Sequence, residues 1–434
     1  MLNKEILDVK FSTDERCDSE IKKYLVEIVA VICENFGDNL KALILSGAMP
    51  TGEASAFISA DGEFHLLSDF DFYAVSFAPI NNSQKEKIIS KIKLQFSDKD
   101  KPISDIGLAV ITEDYFARLE KTVSTYSLRN NGLVVFGECN LKDLIKDFPA
   151  SEISKYDAII YTQNRSIEEL FSFDDETALT KESFLNIAYH SCKVMIDLNL
   201  SLLVFLERHQ PTYKKRLEEL KKIWDCEEIK FVREQIPDYP KELEFWTQFK
   251  ITPSFENLQK QFNLDENNEA NLRNFLSSVK LAAAMVSSAI WRFEWMRFLE
   301  IAPSESITNV ELAYKILKSE PPLRRIVRWV KFLKNNNLDE RLISYDRFFK
   351  LIFTGSPRPL FYASSMLLYY SLIIDKENLP KNLAFYEKHF PLKLKRFFIN
   401  NEEKLDYYKN ITVYMMKKTI AKEEVEDKLI DKII

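Results

Sequence analysis

Glycine, cysteine and histidine are scarce in this chain of 434 residues, which contains eight, five and four of them respectively. The cysteines are scattered without a Cys-x-x-Cys pair, so we expect reduced thiols and no zinc site. The histidines are spread from His65 to His389, which argues against a histidine-rich metal site or a Ser-His-Asp arrangement. Two common kinds of catalytic centre are therefore not expected here.

Long apolar runs are also missing. No run reaches the roughly 18 residues that span a bilayer, and the best candidates, Leu198–Leu206 and Leu281–Trp291, are too short. Residues 1–16 carry charged side chains ahead of any apolar stretch, so we expect no secretory signal. These features predict a cytoplasmic protein that does not contact a membrane.

The composition is otherwise that of a folded protein, with 46% hydrophobic and 29% charged residues. The chain has 60 Lys and Arg against 66 Asp and Glu, a formal charge of −6. This mild acidity argues against a protein whose main role is to coat nucleic acid. Domains usually take about 100–200 residues, so the length predicts two or three of them.

The glycines are unevenly placed, since seven of the eight lie in the first 137 residues and only Gly355 follows. Glycine serves tight turns and close backbone approach, whereas long helices need little of it. The chain is therefore predicted to be α+β, with a small mixed-sheet domain followed by a large all-α region. We expect the segments to be 1–150, 151–250 and 251–434.

Hydrophobic periodicity in the first segment predicts a small sheet with helices on it. A β-hairpin is predicted within Ala56–Leu67, because Asp61 and Gly62 form an Asp-Gly pair between apolar alternations. The predicted helices are Ser19–Phe36, Asn82–Phe96 and Glu113–Arg129. The predicted strands are Lys41–Ser46, Phe70–Phe77, Ile103–Thr112 and Leu133–Phe136.

The pattern turns helical from about Ser151, and Thr252–Glu269 is polar and irregular. His190 and His209 are expected on helix faces, without a functional role. The predicted helices are Phe184–Arg208, Tyr213–Ile223, Asn271–Phe298, Asn309–Leu317, Leu323–Lys334, Arg341–Phe353 and Phe361–Ile374.

Two carboxylates with a glycine-containing turn upstream are the main chemical signal. Asp69 and Asp71 are two residues apart, so a strand would place both on one face, where their repulsion calls for a cation or a shared proton. Such a pair, together with phosphate oxygens, suits Mg²⁺. The Gly47–Gly52 turn follows a predicted strand and could open a helix whose N–H groups face a triphosphate. Asp105, on a later apolar strand, also needs a partner.

This ordered set resembles the DNA polymerase β-type nucleotidyltransferase superfamily. That family has a strand, a Gly-Ser turn, often Arg-Gly-Glu, a hydrophobic-flanked Asp-x-Asp and a third carboxylate on a later strand. The chain departs from the pattern at Ala48, where the family has Ser, and at Thr51, where Arg is usual. Ser46 or Thr51 could supply the hydroxyl instead. The resemblance implies nucleotide-binding residues at Ser46, Gly47, Ala48, Thr51, Gly52 and Glu53.

The resemblance also implies a mechanism with two Mg²⁺ ions. Asp69 and Asp71 would bridge the two ions, and Asp105 would ligate the second ion and receive the proton of an acceptor hydroxyl. An NTP, with ATP favoured, would donate its NMP and release pyrophosphate. Leu198–Leu220 is similar to the helical bundle of small-molecule and minimal nucleotidyltransferases. The similarity implies that 151–250 forms the acceptor side and that the acceptor is a small molecule.

Other readings remain open from the sequence. The acceptor could be a protein, a tRNA end or a second nucleotide, and a tRNA would require the basic stripes of the helical half to face the carboxylates. Ala48 and Thr51 could instead mark a decayed site that only binds nucleotide or a partner. Glu113 or Asp114 competes with Asp105 for the third position. The stripes are Arg324, Arg325, Arg328, Lys331 and Lys334, and Lys388–Arg396.

Overall fold

A computed structural model of the protein describes residues 3, 6, 8–59, 62–96, 106–170, 179–302, 305, 307–336, 345–374, 376–391 and 401–416. The chain divides into two compact units, neither of which is continuous in sequence. The units are residues 1–158, 180–226 and 238–273 for the first, and residues 159–179, 227–237 and 274–434 for the second. The first unit therefore contains the predicted sheet domain together with helices of the predicted bundle. The division into segments 1–150, 151–250 and 251–434 stays a prediction.

The predicted α+β class is confirmed, because a four-stranded mixed sheet is combined with a large helical region. The sheet has the order β5-β4-β1-β6, with β4 and β6 antiparallel to β1 and with β5 parallel to β4. A separate hairpin pairs β2 with β3 on either side of the predicted Asp-Gly turn. The strands are β1 Leu40–Ser46, β2 Ala56–Ile58, β3 Phe64–Leu66, β4 Phe70–Ser76, β5 Ile106–Thr112 and β6 Leu133–Gly137.

Strand β1 is apolar from Ala42 to Leu45, where both of its faces are buried. Leu43 and Leu45 pack into a core shared with helices α1 (Glu15–Phe36) and α2 (Asn82–Gln95). Ala42 and Ile44 pack into a second core on the other face of the sheet. Central strands covered on both faces read as continuous hydrophobic runs, which is what the sequence has here. The sheet is therefore a rigid platform for whatever lies at its ends.

Helix ends in the first unit follow ordinary capping rules. Asp14 caps α1, its side chain accepting from the backbone N–H of Arg16 and Cys17, and Gly37 ends the helix at φ 54°. The predicted helix over Glu113–Arg129 is wrong as one element, since it divides into two, α3 (Glu113–Phe116) and α4 (Val123–Asn131). Thr122 caps the second helix, with its hydroxyl accepting from a backbone N–H. The short helix α5 follows at Leu141–Leu144.

Three helices of the first unit, α7 (Lys181–Phe205), α8 (Tyr213–Ile223) and α10 (Tyr239–Ile251), pack against one another. Helix α7 passes a test of length and composition for a membrane span over Ser183–Phe205, the single stretch of the described residues that does so. Of that stretch's most apolar window, 89% is buried inside the protein, as in a core helix. Helices α6 to α11 are Lys155–Glu168, Lys181–Phe205, Tyr213–Ile223, Lys230–Gln235, Tyr239–Ile251 and Phe255–Phe262. Helix α11 lies within Thr252–Glu269, so the expectation that this segment is irregular is wrong.

The second unit is helical wherever the structure describes an element longer than a single turn. Its core is rich in aromatic side chains, and Trp291, Trp329 and Tyr370 are fully buried. Large aromatic side chains of this kind supply much of the apolar area that a core buries. Helices α12 to α18 are Glu269–Phe298, Asn309–Lys318, Pro322–Asn336, Tyr345–Thr354, Pro357–Ile373, Leu379–His389 and Asn401–Met416.

His209 is buried in the loop between α7 and α8, so its expected place on a helix face is wrong. Its ring packs edge-on against Tyr126, with the ring centroids 5.3 Å apart. Neither ring nitrogen has a hydrogen-bond partner within the described part of the chain. Burial, with a smaller contribution from Arg216, lowers the pKa of His209 to about 3.

This buried imidazole makes the free energy of unfolding depend on pH. Below about pH 6.5 the unfolded chain binds a proton at His209 that the folded chain does not, so stability falls as the pH falls toward 3. Between about pH 6.5 and 3, His209 should lower the free energy of unfolding by about 1.4 kcal/mol for each pH unit. We expect His209→Phe to abolish this contribution. Urea unfolding at pH 6.5, 5.5 and 4.5 measures it, with His190→Gln as the control at an exposed position. Identical pH slopes for wild type and His209→Phe would contradict the assignment.

Candidate active site

The predicted carboxylates lie at the end of the sheet where β1 ends and where β4 and β5 begin. Asp71 is the second residue of β4, and its register partners are Ser46 on β1 and Gly107 on β5. The Ser46 hydroxyl donates to the backbone carbonyl of Asp71 at 3.2 Å. Asp71 therefore has a fixed backbone position, with an exposed side chain.

Two glycines make room for the Asp71 carboxylate. A Cβ added at Gly107 would lie 2.4 Å from Asp71 Oδ1, and one added at Gly47 would lie 3.1 Å from Asp71 Oδ2. The carboxylate thus fills the space that side chains at both positions would need. Gly107 was not predicted as a site residue, although glycine inside a strand often marks a close approach.

Asp69 precedes β4 and is half-buried. The segment before it is held to the segment after the Gly47–Gly52 turn, since Ser55 N donates to Ser68 Oγ at 2.8 Å and Ser68 N donates to Ser55 O at 3.2 Å. The Tyr189 hydroxyl, from α7, donates to Ser55 Oγ at 3.1 Å. Burial raises the pKa of Tyr189, and the negative charge of Asp69 adds to this rise.

The Gly47–Gly52 turn is a single 3-10 turn over Met49–Thr51, so the suggested helix after this turn is absent. Gly47 and Gly52 both have positive φ, at 80° and 76°, which accounts for glycine at both positions. Thr51 N and Glu53 N donate to Ala48 O, and Gly52 N donates to Met49 O. These three N–H groups are used inside the turn. Any phosphate contact from the turn backbone would therefore come from residues 47–49.

The side chains proposed to replace the family's serine both contact the backbone. Thr51 Oγ1 donates to Ala48 O at 2.8 Å, as the Ser46 hydroxyl does to Asp71 O. Both hydroxyls can still accept a hydrogen bond. Their contribution to nucleotide binding stays a prediction.

Glu53 holds a helix. Its carboxylate accepts from Tyr213 N at 2.7 Å and from Lys214 N at 3.1 Å, the first two N–H groups of α8. Glu53 is 4% exposed. A carboxylate at a helix N-terminus is favourable because of the free N–H groups and the helix dipole. Glu53 therefore connects the turn to the helical part of the first unit, and its predicted contact with nucleotide stays a prediction.

The third carboxylate, Asp105, lies outside the described residues. The described part of β5 begins one residue later, at Ile106, which pairs with Phe70. The alternatives Glu113 and Asp114 are wrong, because β5 ends at Thr112, about 20 Å along the strand from Ile106. Glu113 forms an ion pair with Lys41, and Asp114 forms one with Arg118.

The donor set fits Mg²⁺. Proteins usually hold this ion through one or two carboxylates, with water and substrate phosphate completing the octahedron. Asp69 and Asp71 supply two carboxylates, and the glycine-lined space around Asp71 leaves its oxygens accessible. Within the ranges that the structure describes, no three His, Cys, Asp or Glu side chains form a complete metal-binding group. Such a site would thus depend on the nucleotide, and on Asp105 if that residue takes part.

One arginine of the basic stripe on α14, Arg325, is buried. Arg325 is 7% exposed, and its guanidinium donates to the backbone carbonyls of Glu320 and Phe353 at 2.9 and 2.8 Å. The guanidinium of Arg325 is therefore used inside the protein and is not part of an exposed basic stripe that could contact a tRNA. The outer side of the helix also carries apolar side chains, with Leu323 78% and Val330 58% exposed.

A cleft of about 860 Å³ opens elsewhere in the first unit, beside the edge strand β6. Its lining includes Lys41, Glu113 and Asn140, but neither Asp69, nor Asp71, nor any residue of the Gly47–Gly52 turn. A large concavity is the usual default for a binding site. The cleft follows β6 from Gly137, which pairs with Ala42, to Leu133, which pairs with Leu45, and it shares no residue with the proposed carboxylate pair or the glycine turn.

No protein-family model and no curated protein matches the sequence. Among solved structures, the chain is similar to the spectinomycin adenyltransferase AAD(9) from Enterococcus faecialis, crystallised with ATP and spectinomycin. The identity is 11%, the alignment covers 62% of this chain and 98% of that one, and the TM-score is 0.37. This similarity is too low to assign a family or a function.

Proposed function

We propose that the protein is a Mg²⁺-dependent nucleotidyltransferase that moves an NMP from an NTP to a hydroxyl acceptor. The observation that carries the proposal is the Asp71 carboxylate seated between Gly47 and Gly107, with Asp69 two residues before it. A carboxylate pair beside a glycine turn, at one end of a rigid sheet, suits a metal-bound triphosphate.

The proposal assigns a separate role to each group of site residues. Asp69 and Asp71 would hold the two Mg²⁺ ions, together with Asp105. The bound metal would supply charge stabilisation and acidify the acceptor hydroxyl. The backbone of residues 47–49 would contact phosphate oxygens, and Ser46 and Thr51 would orient these groups. Asp105 would take the proton of the acceptor hydroxyl.

We propose ATP as the favoured donor and a small molecule as the acceptor. Helices α7, α8 and α10 belong to the same compact unit as the sheet, and this supports an acceptor side built from residues 151–250. Residues 1–150 would carry catalysis. The five cysteines are free thiols, which supports the proposed cytoplasmic location.

A second candidate is a protein that binds nucleotide without transferring it. Three N–H groups of the turn are used internally, and Ala48 has no hydroxyl. Both features reduce the number of donors available to a triphosphate. In that case Mg²⁺-dependent binding would be present and pyrophosphate release absent.

The experiment combines each of the four NTPs with Mg²⁺ and a panel of hydroxyl-bearing small molecules. Pyrophosphate release is followed, and mass spectrometry looks for an acceptor heavier by one NMP. We expect release with one preferred NTP, dependent on Mg²⁺ and on one class of acceptor. Adding a protein, a tRNA or a second nucleotide as acceptor tests the alternatives. If none of the acceptors gains an NMP while NTP binding is retained, the second candidate is supported.

A further inference from the structure

Lys250, the penultimate residue of α10, places an ammonium group inside the first unit. It is 1% exposed, and its Nζ donates to the backbone carbonyl of Glu53 at 3.1 Å. The same Nζ lies 4.4 Å from the centroid of the Tyr213 ring. The contact to Glu53 reaches the segment that directly follows the Gly47–Gly52 turn.

Glu53 is held from two directions. Lys250 binds its carbonyl, while the N-terminus of α8 binds its carboxylate. Two residues later, Ser55 is bound by Tyr189 and by Ser68, the neighbour of Asp69. The stretch from the glycine turn to Asp69 is therefore attached to three helices of the same unit. Lys250 is the cationic member of this set of contacts.

The ammonium is costly to bury, and its surroundings make it easy to deprotonate. Burial lowers the pKa of Lys250 to about 7, with Lys193 lowering it further and the acidic neighbours opposing the shift. Both protonation states are thus populated near neutral pH. The groups that act on it are Cys192, Lys193 and Asp197 from α7, Glu53 from the segment after the turn, and the Tyr213 ring from α8.

A methionine of similar length would fill this space without a buried charge, and apolar replacements of buried charges are often neutral or stabilising. The ammonium instead gives a charged hydrogen bond to a carbonyl, roughly twice as strong as a neutral one. A neutral amine keeps an N–H donor and loses that charge. The protonation state of Lys250 therefore sets how firmly the segment at Glu53 is held.

We propose that Lys250 is a positioning residue, whose ammonium holds the Gly52–Ser55 segment, and with it the glycine turn and Asp69, in the nucleotide-binding arrangement. Its role in nucleotide affinity rests on the proposed function. Its hold on the segment does not, because that hold follows from the contacts alone. Loss of its proton loosens the segment and weakens NTP binding as the pH rises from 6 to 9.

The test compares Lys250→Met with Lys241→Met, a control at an exposed position of the same helix. We expect Lys250→Met to speed amide hydrogen exchange over residues 47–55 at least fivefold at pH 6.5, and to raise the Kd of Mg-NTP about tenfold. The control should change neither. In wild type, the Kd should rise about threefold between pH 6.5 and 8.5, and Lys250→Arg, charged throughout, should remove that rise.

The outcomes separate the two proposals. If wild type binds none of the NTPs, the proposed function fails, and the exchange rates still decide the role of Lys250. If folded Lys250→Met exchanges like wild type over residues 47–55, the inference is overturned. If Lys250→Met does not fold, the role of Lys250 is tested in wild type instead. Amide hydrogen exchange over residues 47–55 is then measured from pH 6 to 9 and corrected for the intrinsic exchange rate at each pH. Increasing exchange over residues 47–55 supports the inference, and constant protection overturns it.

Discussion

Asp71→Asn is expected to lower pyrophosphate release at least about 1,000-fold, equivalent to ~4 kcal/mol of transition-state stabilisation. Asparagine has the same shape, so it fits the space beside Gly47 and Gly107 without displacing the backbone. What it removes is the negative charge that would hold Mg²⁺. It also relieves repulsion from Asp69, so the free energy of unfolding should stay the same or increase slightly. Pyrophosphate release and thermal unfolding measure the two effects separately.

Asp38→Asn is the matched control. Asp38 is an exposed carboxylate of the same unit, in the short turn before β1. The same chemical change at this position should leave the rate within about twofold, as for surface substitutions in general. A rate for Asp71→Asn close to that of Asp38→Asn would remove Asp71 from the catalytic centre.

Gly107→Ala is expected to lower the same rate about 100-fold, because displacing a reacting group by about 1 Å has effects of that size. The new methyl group would lie 2.4 Å from Asp71 Oδ1 and 3.5 Å from Asp71 Cγ. Either the carboxylate rotates away or the pairing of β4 with β5 shifts. Asp71 is exposed, so rotation of its carboxylate costs little, and the melting temperature should stay within a few degrees of wild type.

Gly62→Ala separates loss of stability from loss of the site. Gly62 lies in the hairpin turn at φ 90°, and an added Cβ would contact nothing within 4 Å. Alanine there is strained and should lower stability by about 1 kcal/mol, with the rate unchanged at a temperature well below unfolding. If Gly107→Ala keeps full activity, as Gly62→Ala should, the close contact between Gly107 and the Asp71 carboxylate has no role in catalysis.

The elements that sequence patterns located best are those whose signals are local. Helix α8 has the predicted bounds Tyr213–Ile223, because an amphipathic repeat and its Thr212 cap define both period and start. The hairpin follows from its Asp-Gly pair, and β1 from an apolar run covered on both faces. The pairing of Asp69 and Asp71 also rests on a spacing contained in three residues, and their joint role stays a prediction.

What the patterns did not reveal depends on contacts between distant residues. Gly107 lies 36 positions after Asp71, and its significance comes from the parallel register of β4 and β5. The family resemblance implies that Glu53 contacts nucleotide, which stays a prediction, but no local pattern shows that its carboxylate caps a helix 160 residues away. Lys250 reads as an ordinary surface lysine until its distance to the Glu53 carbonyl is known. Strand register and helix docking are tertiary facts that a local pattern does not encode.

The most direct test of a Mg²⁺ and triphosphate site at Asp69 and Asp71 needs no acceptor. Thermal unfolding is measured with each of the four NTPs, with and without Mg²⁺, for wild type, Asp71→Asn and Asp38→Asn. At 100 times Kd a ligand stabilises the folded state by about 2.7 kcal/mol, which moves the melting temperature by several degrees. We predict such a shift with one NTP, present only with Mg²⁺, retained in Asp38→Asn and lost in Asp71→Asn. No shift with any NTP, or a shift that Asp71→Asn retains in full, would contradict the proposed site.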